Sequence, residues 1–122
     1  MPASSSSPFL SGVQAEEIAC NYLQRQGLTL LERNYRCRRG EIDLIMQEGE
    51  TLVFIEVRYR RSNRFGSAAE TVNSAKQARI TATAQHYLSR LSRLPHCRFD
   101  VVALTPSNDN RPEWIRDAFG AT

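Results

Sequence analysis

The sequence predicts a single α/β domain built as a sheet with helices packed on it. Two stretches, near residues 12–26 and 67–91, repeat apolar residues at helical spacing. Strand-like runs at 41–58 and 98–104 lie between and after them, bounded by Gly- and Pro-containing breaks. The order that follows is α, β, β, β, α, β, β, and covering a sheet with helices is the economical way to bury such elements. No internal repeat or linker divides the 122 residues, and that length supports one core.

Residues 1–10 read as a disordered Ser-rich tail and 11–122 as the domain. Ser11 can cap a first helix from Gly12 to Gln26, with Ala15, Ile18, Ala19, Tyr22 and Leu23 as its core face. Gly27 ends it. Leu28 to Leu31 reads as a short strand and Glu32 to Arg39 as a polar connection. Arg60 to Gly66 reads as a basic loop. Ser67 can cap a long helix to Leu91 that buries Val72, Ala75, Ile80, Ala84, Tyr87, Leu88 and Leu91. Pro95 breaks the chain. In the strand from Arg98 to Leu104, Phe99, Val101 and Ala103 alternate with Asp100 and Val102. A turn-rich stretch then leads to a short last strand, Glu113 to Ile115, with Trp114 as a cover.

The segment from Gly40 to Arg58 carries the chemistry. Gln47-Glu48-Gly49-Glu50 separates two apolar runs, so a hairpin is expected. A turn centred on Glu48-Gly49 sets Asp43 opposite Phe54 and Glu41 opposite Glu56. Strand alternation then places Asp43, Phe54, Glu41, Glu56 and Arg58 on one face. Ile42, Leu44, Val53, Ile55 and Val57 form the other, wholly apolar face, which is the expected core side. Asp43 and Glu56 become diagonal neighbours, roughly 7–8 Å apart at the backbone. Carboxylates inside apolar strands are costly unless something positive binds them. A divalent cation held by oxygen ligands is the cheapest explanation for several.

Composition sets modest bounds. Charged residues make up 24% and hydrophobic ones 41%, ordinary for a globular chain. The net charge of +3 leans weakly toward polyanionic partners. No run approaches the roughly 18 apolar residues of a membrane span, and without a signal segment a cytoplasmic location is the default. Cys20, Cys37 and Cys97 lack the spacing of a disulfide framework or a zinc site. His86, on a helix face, and His96, in a loop, are assigned no catalytic role.

Phosphodiester hydrolysis needs an activated water and neutralised phosphate charge, and bound Mg²⁺ or Mn²⁺ supplies both. Asp43 and Glu56 are the expected ligands, with Glu16 from the first helix as a third and the Val57 carbonyl as another donor. Glu41 is a ligand or a supporting partner. Arg58 can stabilise transition-state charge, but it stays protonated and cannot be a general base. Arg36, Arg38 and Arg39, with Arg33, precede the acids; Arg60, Arg61 and Arg64 follow them. Lys76 and Arg79, with Arg90 and Arg93, lie near one stripe of the long helix. Basic groups around an acidic centre suit a nucleic-acid backbone, and Tyr35, Tyr59 and Phe65 are placed to stack on bases.

The stretches Gln14-Ala15-Glu16, Leu31 to Arg36, Gly40-Glu41-Ile42-Asp43-Leu44-Ile45, Phe54-Ile55-Glu56-Val57-Arg58 and Arg98 to Val102 closely resemble the YraN-like family of small bacterial proteins. That family is similar to the restriction-endonuclease-like PD-(D/E)XK nucleases and to archaeal Holliday-junction resolvases. The resemblance implies a central mixed sheet with helices on both faces. It implies Asp43 as the motif aspartate, Glu56 as its second acid and Glu16 as the helix acid. It also implies a Mg²⁺- or Mn²⁺-dependent endonuclease acting on DNA, branched or damaged DNA included. A homodimer is the assembly that a two-fold junction invites. The motif has Lys where this chain has Arg58, and Lys76 is a candidate substitute. The alternatives are a nucleic-acid-binding module with little catalysis, and a protein-interaction domain whose acids sit in salt bridges.

Overall fold

The computed structural model describes residues 10–60, 72–106 and 109–120. Its elements are α1 (Gly12–Arg25), β1 (Thr29–Cys37), β2 (Gly40–Glu48), β3 (Thr51–Tyr59), α2 (Ser74–Leu88), β4 (Cys97–Leu104) and β5 (Glu113–Phe119). The strands form one mixed sheet in the order β1-β2-β3-β4-β5. All neighbours are antiparallel except β3 and β4, which are parallel and joined through α2. A parallel pair needs such a long crossover, whereas antiparallel neighbours can be joined by tight turns.

Both faces of the sheet are buried. α1 packs Ala19, Cys20 and Leu23 against Leu44, Met46, Val53, Ile55 and Val102. On the other face α2 packs Ile80 and Ala84 against Tyr35, Ile42, Ile45, Phe54, Phe99 and Val101. Phe54 stacks on Phe99, and Phe99 on Phe119, at centroid distances of 5.5 and 5.1 Å, tying β3, β4 and β5 together. A core with only one apolar sheet face is thus corrected. The run Leu52 to Glu56 is continuously buried because a central strand under two helices has no solvent side.

The hairpin register differs from the expectation by two residues. Glu48 pairs with Thr51, Ile45 with Phe54 and Leu44 with Ile55, so the turn is Gly49-Glu50. Gly49 takes φ +61°, a left-handed value that glycine reaches without strain. An even shift preserves alternation, so Val53, Ile55 and Val57 still share a face. Ile42 leaves it and joins the α2 side, opposite in sense to Leu44. The change of face falls between the β1–β2 pairs Arg33↔Leu44 and Tyr35↔Ile42, where Asn34 has a left-handed φ of 51°.

Local chemistry explains the helix starts. Ser11 Oγ accepts from Gln14 N at 3.1 Å, and Gln14 Oε1 accepts from Ser11 N at 2.8 Å, closing a capping box. Leu10 N donates to the Tyr59 hydroxyl at 3.0 Å, which pins the start of α1 to the end of β3. The expected cap at Ser67 lies outside the described residues; α2 as described is capped by Asn73, whose Oδ1 accepts from Lys76 N. Ala75 and Leu91, expected in the core, are exposed. Gly40 is required where the β1–β2 turn meets α2. A Cβ there would meet Thr83 Oγ1 at 3.1 Å, and the φ of +156° disfavours any side chain.

Two strands run longer than their sequences suggest. The polar stretch Glu32 to Cys37 belongs to β1, since an edge strand tolerates polar residues on its open side. β5 continues to Phe119, held by the fully buried Asp100. That carboxylate accepts from Trp114 Nε1 and Asp117 N, both at 2.9 Å, and from Arg98 Nε at 3.0 Å. Among the described residues no helix is long and apolar enough to cross a membrane.

Candidate functional site

Four carboxylates from three elements gather where the β2–β3 ladder ends. The last ladder pair is Leu44↔Ile55, and beyond it the Val57 N–H donates to Asp43 Oδ2 at 2.8 Å. A side-chain acceptor here replaces a backbone carbonyl, which draws the Asp43 carboxylate in beside β3. Val57 enters the site through this amide. Glu56, on β3, is 5% exposed and lies on the same face as Phe54, toward α2. Glu16 comes from α1, on the opposite side of the sheet, and hydrogen-bonds Asp43.

These groups interact strongly. Burial, and then the charge of Glu56, push the Asp43 pKa up to about 8, with smaller contributions from Glu16 and Glu41. Burial and the charge of Glu41 raise Glu16 as well. A hydrogen bond between two carboxyl groups needs one proton between them, and the raised values of Asp43 and Glu16 keep that proton on the pair at neutral pH. Asn34 Nδ2 donates to Glu16 Oε1 at 3.1 Å and fixes the other side of that carboxylate. Asn tolerates the left-handed backbone that its position requires.

Two cations converge on one atom of Glu56. Lys76 Nζ from α2 and Arg58 Nη1 from β3 each lie 3.4 Å from Glu56 Oε2. Lys76 thus stands beside Arg58 at Glu56. Glu41 does not face Glu56; it sits across from Arg36 on β1 and pairs with it at 3.5 Å. The two-residue register shift is the cause.

The basic residues divide into groups. Arg36, Arg38 and Arg39 are exposed at the β1–β2 turn, and Arg79 is exposed on α2 beside Gly40. Arg33 instead pairs with Glu17 of α1 at 2.9 Å. Arg60 follows β3 directly, while Arg61, Arg64 and Phe65 lie outside the described residues. Tyr35, expected to stack on bases, is 5% exposed and packs edge-on against Tyr87 in the core. Tyr59 uses its hydroxyl to hold α1.

The donor set suits a hard divalent cation by its chemistry, since carboxylate and carbonyl oxygens are the ligands Mg²⁺ and Mn²⁺ take. As the side chains stand, no group of three or more His, Cys, Asp or Glu among the described residues forms a metal-holding cluster. Their oxygens are instead occupied by Asn34, the Val57 amide, Lys76 and Arg58.

Asn34 is the site residue that sequence reasoning missed. Its signal in the sequence is an Asn within the polar stretch Glu32 to Arg39. Asn is enriched at left-handed positions.

The model of the uncharacterised protein family UPF0102 matches residues 15–104. That span includes Glu16, Asn34, Glu41, Asp43, Glu56, Arg58 and Lys76. A UPF0102 protein of Nitrosococcus oceani is 57% identical over 111 residues, covering 88% of this chain and 90% of the relative. One from Nitrosomonas europaea is 55% identical over 108 residues, covering 88% and 92%. One from Cupriavidus metallidurans is 54% identical over 121 residues, covering 98% and 88%. The YraN-like resemblance drawn from the acidic strand pair and these matches agree: the chain belongs to the uncharacterised protein family UPF0102.

Proposed function

We propose that this protein is a divalent-metal-dependent nuclease that hydrolyses phosphodiester bonds in DNA. The observation that carries the reading is the meeting of Glu16, Asp43 and Glu56 from three elements, with Lys76 and Arg58 sharing Glu56 Oε2. Carboxylates that raise one another's pKa are held together against their repulsion, and a dication replacing the shared proton would relieve it.

In this reading Glu16, Asp43, Glu56 and the Val57 carbonyl hold Mg²⁺ or Mn²⁺. Bound there, the ion supplies a lowered pKa for its water and a counter-charge for the phosphate. Asn34 holds Glu16 toward Asp43, and the Val57 N–H orients Asp43. Lys76 and Arg58 place two positive groups beside the second acid, where a phosphate would bring its charge. Lys76 can exchange a proton with water and Arg58 cannot, so Lys76 takes the part that the nuclease motif gives to Lys. Arg36, Arg38, Arg39, Arg60 and Arg79 attract the backbone, joined by Arg61 and Arg64, which lie outside the described residues.

One observation favours a second reading, a nucleic-acid-binding module without catalysis. The carboxylate oxygens already have cationic or N–H partners, and no three acids form a ready metal cluster among the described residues.

A cleavage assay separates the two. Labelled duplex, single-stranded and four-way-junction DNA would be incubated with Mn²⁺, Mg²⁺ or EDTA, beside Asp43→Ala and Glu56→Ala. Metal-dependent cutting lost in both variants supports the nuclease. Retention of DNA without cutting moves the assignment to the binding module.

A further inference from the structure

A second polar centre lies along α2 from the acids. Lys76, Arg79, Thr83, His86 and Arg90 follow one another at three- and four-residue spacing, one side of the helix and its C-terminal extension. Lys76 meets Glu56, Arg79 and Thr83 meet Gly40, and His86 and Arg90 meet Tyr35. From Lys76 to His86 the helix rises about 15 Å, so this end is well separated from the acids.

At that end the imidazole of His86 is held. Its Nδ1 hydrogen-bonds the Tyr35 hydroxyl, whose ring is packed in the core. Arg90 lies 5.6 Å from the centroids of both Tyr35 and Tyr87 and hydrogen-bonds the Tyr35 oxygen. In the tautomer that accepts at Nδ1, the Tyr35 hydroxyl donates to His86 and the imidazole hydrogen lies on Nε2. His86 also lines an open cleft of about 250 Å³, together with Arg39, Gln85 and Ala82. The lining therefore offers a guanidinium, an imidazole N–H and a carboxamide, with no carboxylate among them. The dipole at the C-terminal end of α2 does not favour anions, so the attraction comes from Arg39 and from Arg90 behind the imidazole.

We propose that the cleft of Arg39, Gln85 and His86 binds a phosphate group, and that its natural ligand is a backbone phosphate of a nucleic acid whose other phosphates lie toward the acids. The site rests on its own donors; the choice of nucleic acid as the source rests on the function proposed above. Tyr35 is a positioning residue that sets the tautomer of His86.

The chain has two histidines, so His96 serves as an internal reference. Imidazole ¹⁵N–¹H spectra would be recorded in EDTA, at a pH where both rings are neutral, with inorganic phosphate and separately with a short DNA duplex. Fluorescence anisotropy would measure duplex affinity across a salt series for Arg39→Ala, His86→Ala and Tyr35→Phe. The expected result is movement of His86 but not His96 with both ligands. Duplex affinity should fall roughly three- to tenfold in Arg39→Ala and His86→Ala, with the salt slope of Arg39→Ala reduced by about one. Tyr35→Phe should weaken binding in the single variant but add nothing to His86→Ala. Movement of His86 with phosphate, but no duplex binding by the wild-type protein, supports the site and overturns the nucleic-acid source. Duplex binding with His86 unmoved and His86→Ala unchanged overturns the site and leaves the nuclease reading standing. No movement of His86 with either ligand also overturns the site.

Discussion

The Lys76 ammonium lies 3.4 Å from Glu56 Oε2, although the two residues stand on different elements and α2 must cross the sheet to bring them together. Arg58 reaches the same oxygen at the same distance from within β3. If cleavage depends on a cation able to exchange its proton, the two are not equivalent. Lys76→Ala should lower the cleavage rate about 10²-fold or more, the scale of losing one preorganised charge-stabilising group. Arg58→Lys should retain most of it. Single-turnover rates at saturating protein measure this, and a Lys76→Ala protein cutting at the wild-type rate removes Lys76 from the proposed mechanism.

Asp43 makes stability depend on pH in a defined direction. Its folded pKa, about 8, is raised above the ordinary 3.8 by burial and by Glu56. The folded protein therefore holds a proton that the unfolded chain releases. The stabilisation is fully present below the unfolded value and is lost as pH rises through about 8. Without metal, unfolding free energy should fall by at most about 1.4 kcal/mol per pH unit across that window. Asp43→Asn should flatten the dependence. Urea unfolding in EDTA from about pH 5 to about pH 9 checks it, and an equal slope in wild type and Asp43→Asn would refute the assignment.

Asn34 combines a left-handed backbone with a hydrogen bond to Glu16. The two roles separate by substitution. Asn34→Ala should cost about 1–2 kcal/mol, since an ordinary side chain disfavours that conformation. Asn34→Gly should cost less and still release Glu16. If the acids hold Mn²⁺ as proposed, both variants should weaken its binding in calorimetry. Retention of full affinity in Asn34→Gly would reduce Asn34 to a backbone role.

Asp100 is assigned to the fold alone. Its carboxylate is fully buried and accepts from Arg98, Trp114 and the Asp117 amide. Asp100→Ala leaves those donors facing a void and should cost about 3–5 kcal/mol, the scale of breaking a buried charge pair. Chemical denaturation measures it. A loss under about 1 kcal/mol would mean that water replaces the carboxylate there.

Much of the architecture was legible. Ser11 marked the start of α1, and the alternation of Phe99, Val101 and Ala103 marked β4, because capping and strand periodicity are local. The stretch Glu32 to Cys37 was not legible as strand. Its polar residues resemble a loop, and only pairing with β2 organises them. The acids were recognisable as a group, since carboxylates within apolar runs demand partners. Their partners were less so: the Glu41–Glu56 pairing failed because one turn position decides the whole register.

The sequence by itself determined the order of the elements, the two apolar periodicities and the family, because each is written in residues near one another or in a motif. The tertiary structure decided which residues share the site. It buried both faces of the sheet and turned Ile42 away from Leu44 at Asn34. It brought Glu16 from α1 and Lys76 from α2 to the end of the β2–β3 ladder. The physical reason is that register and helix placement follow from contacts summed over the whole sheet, and a linear pattern constrains each strand's faces without fixing where they meet.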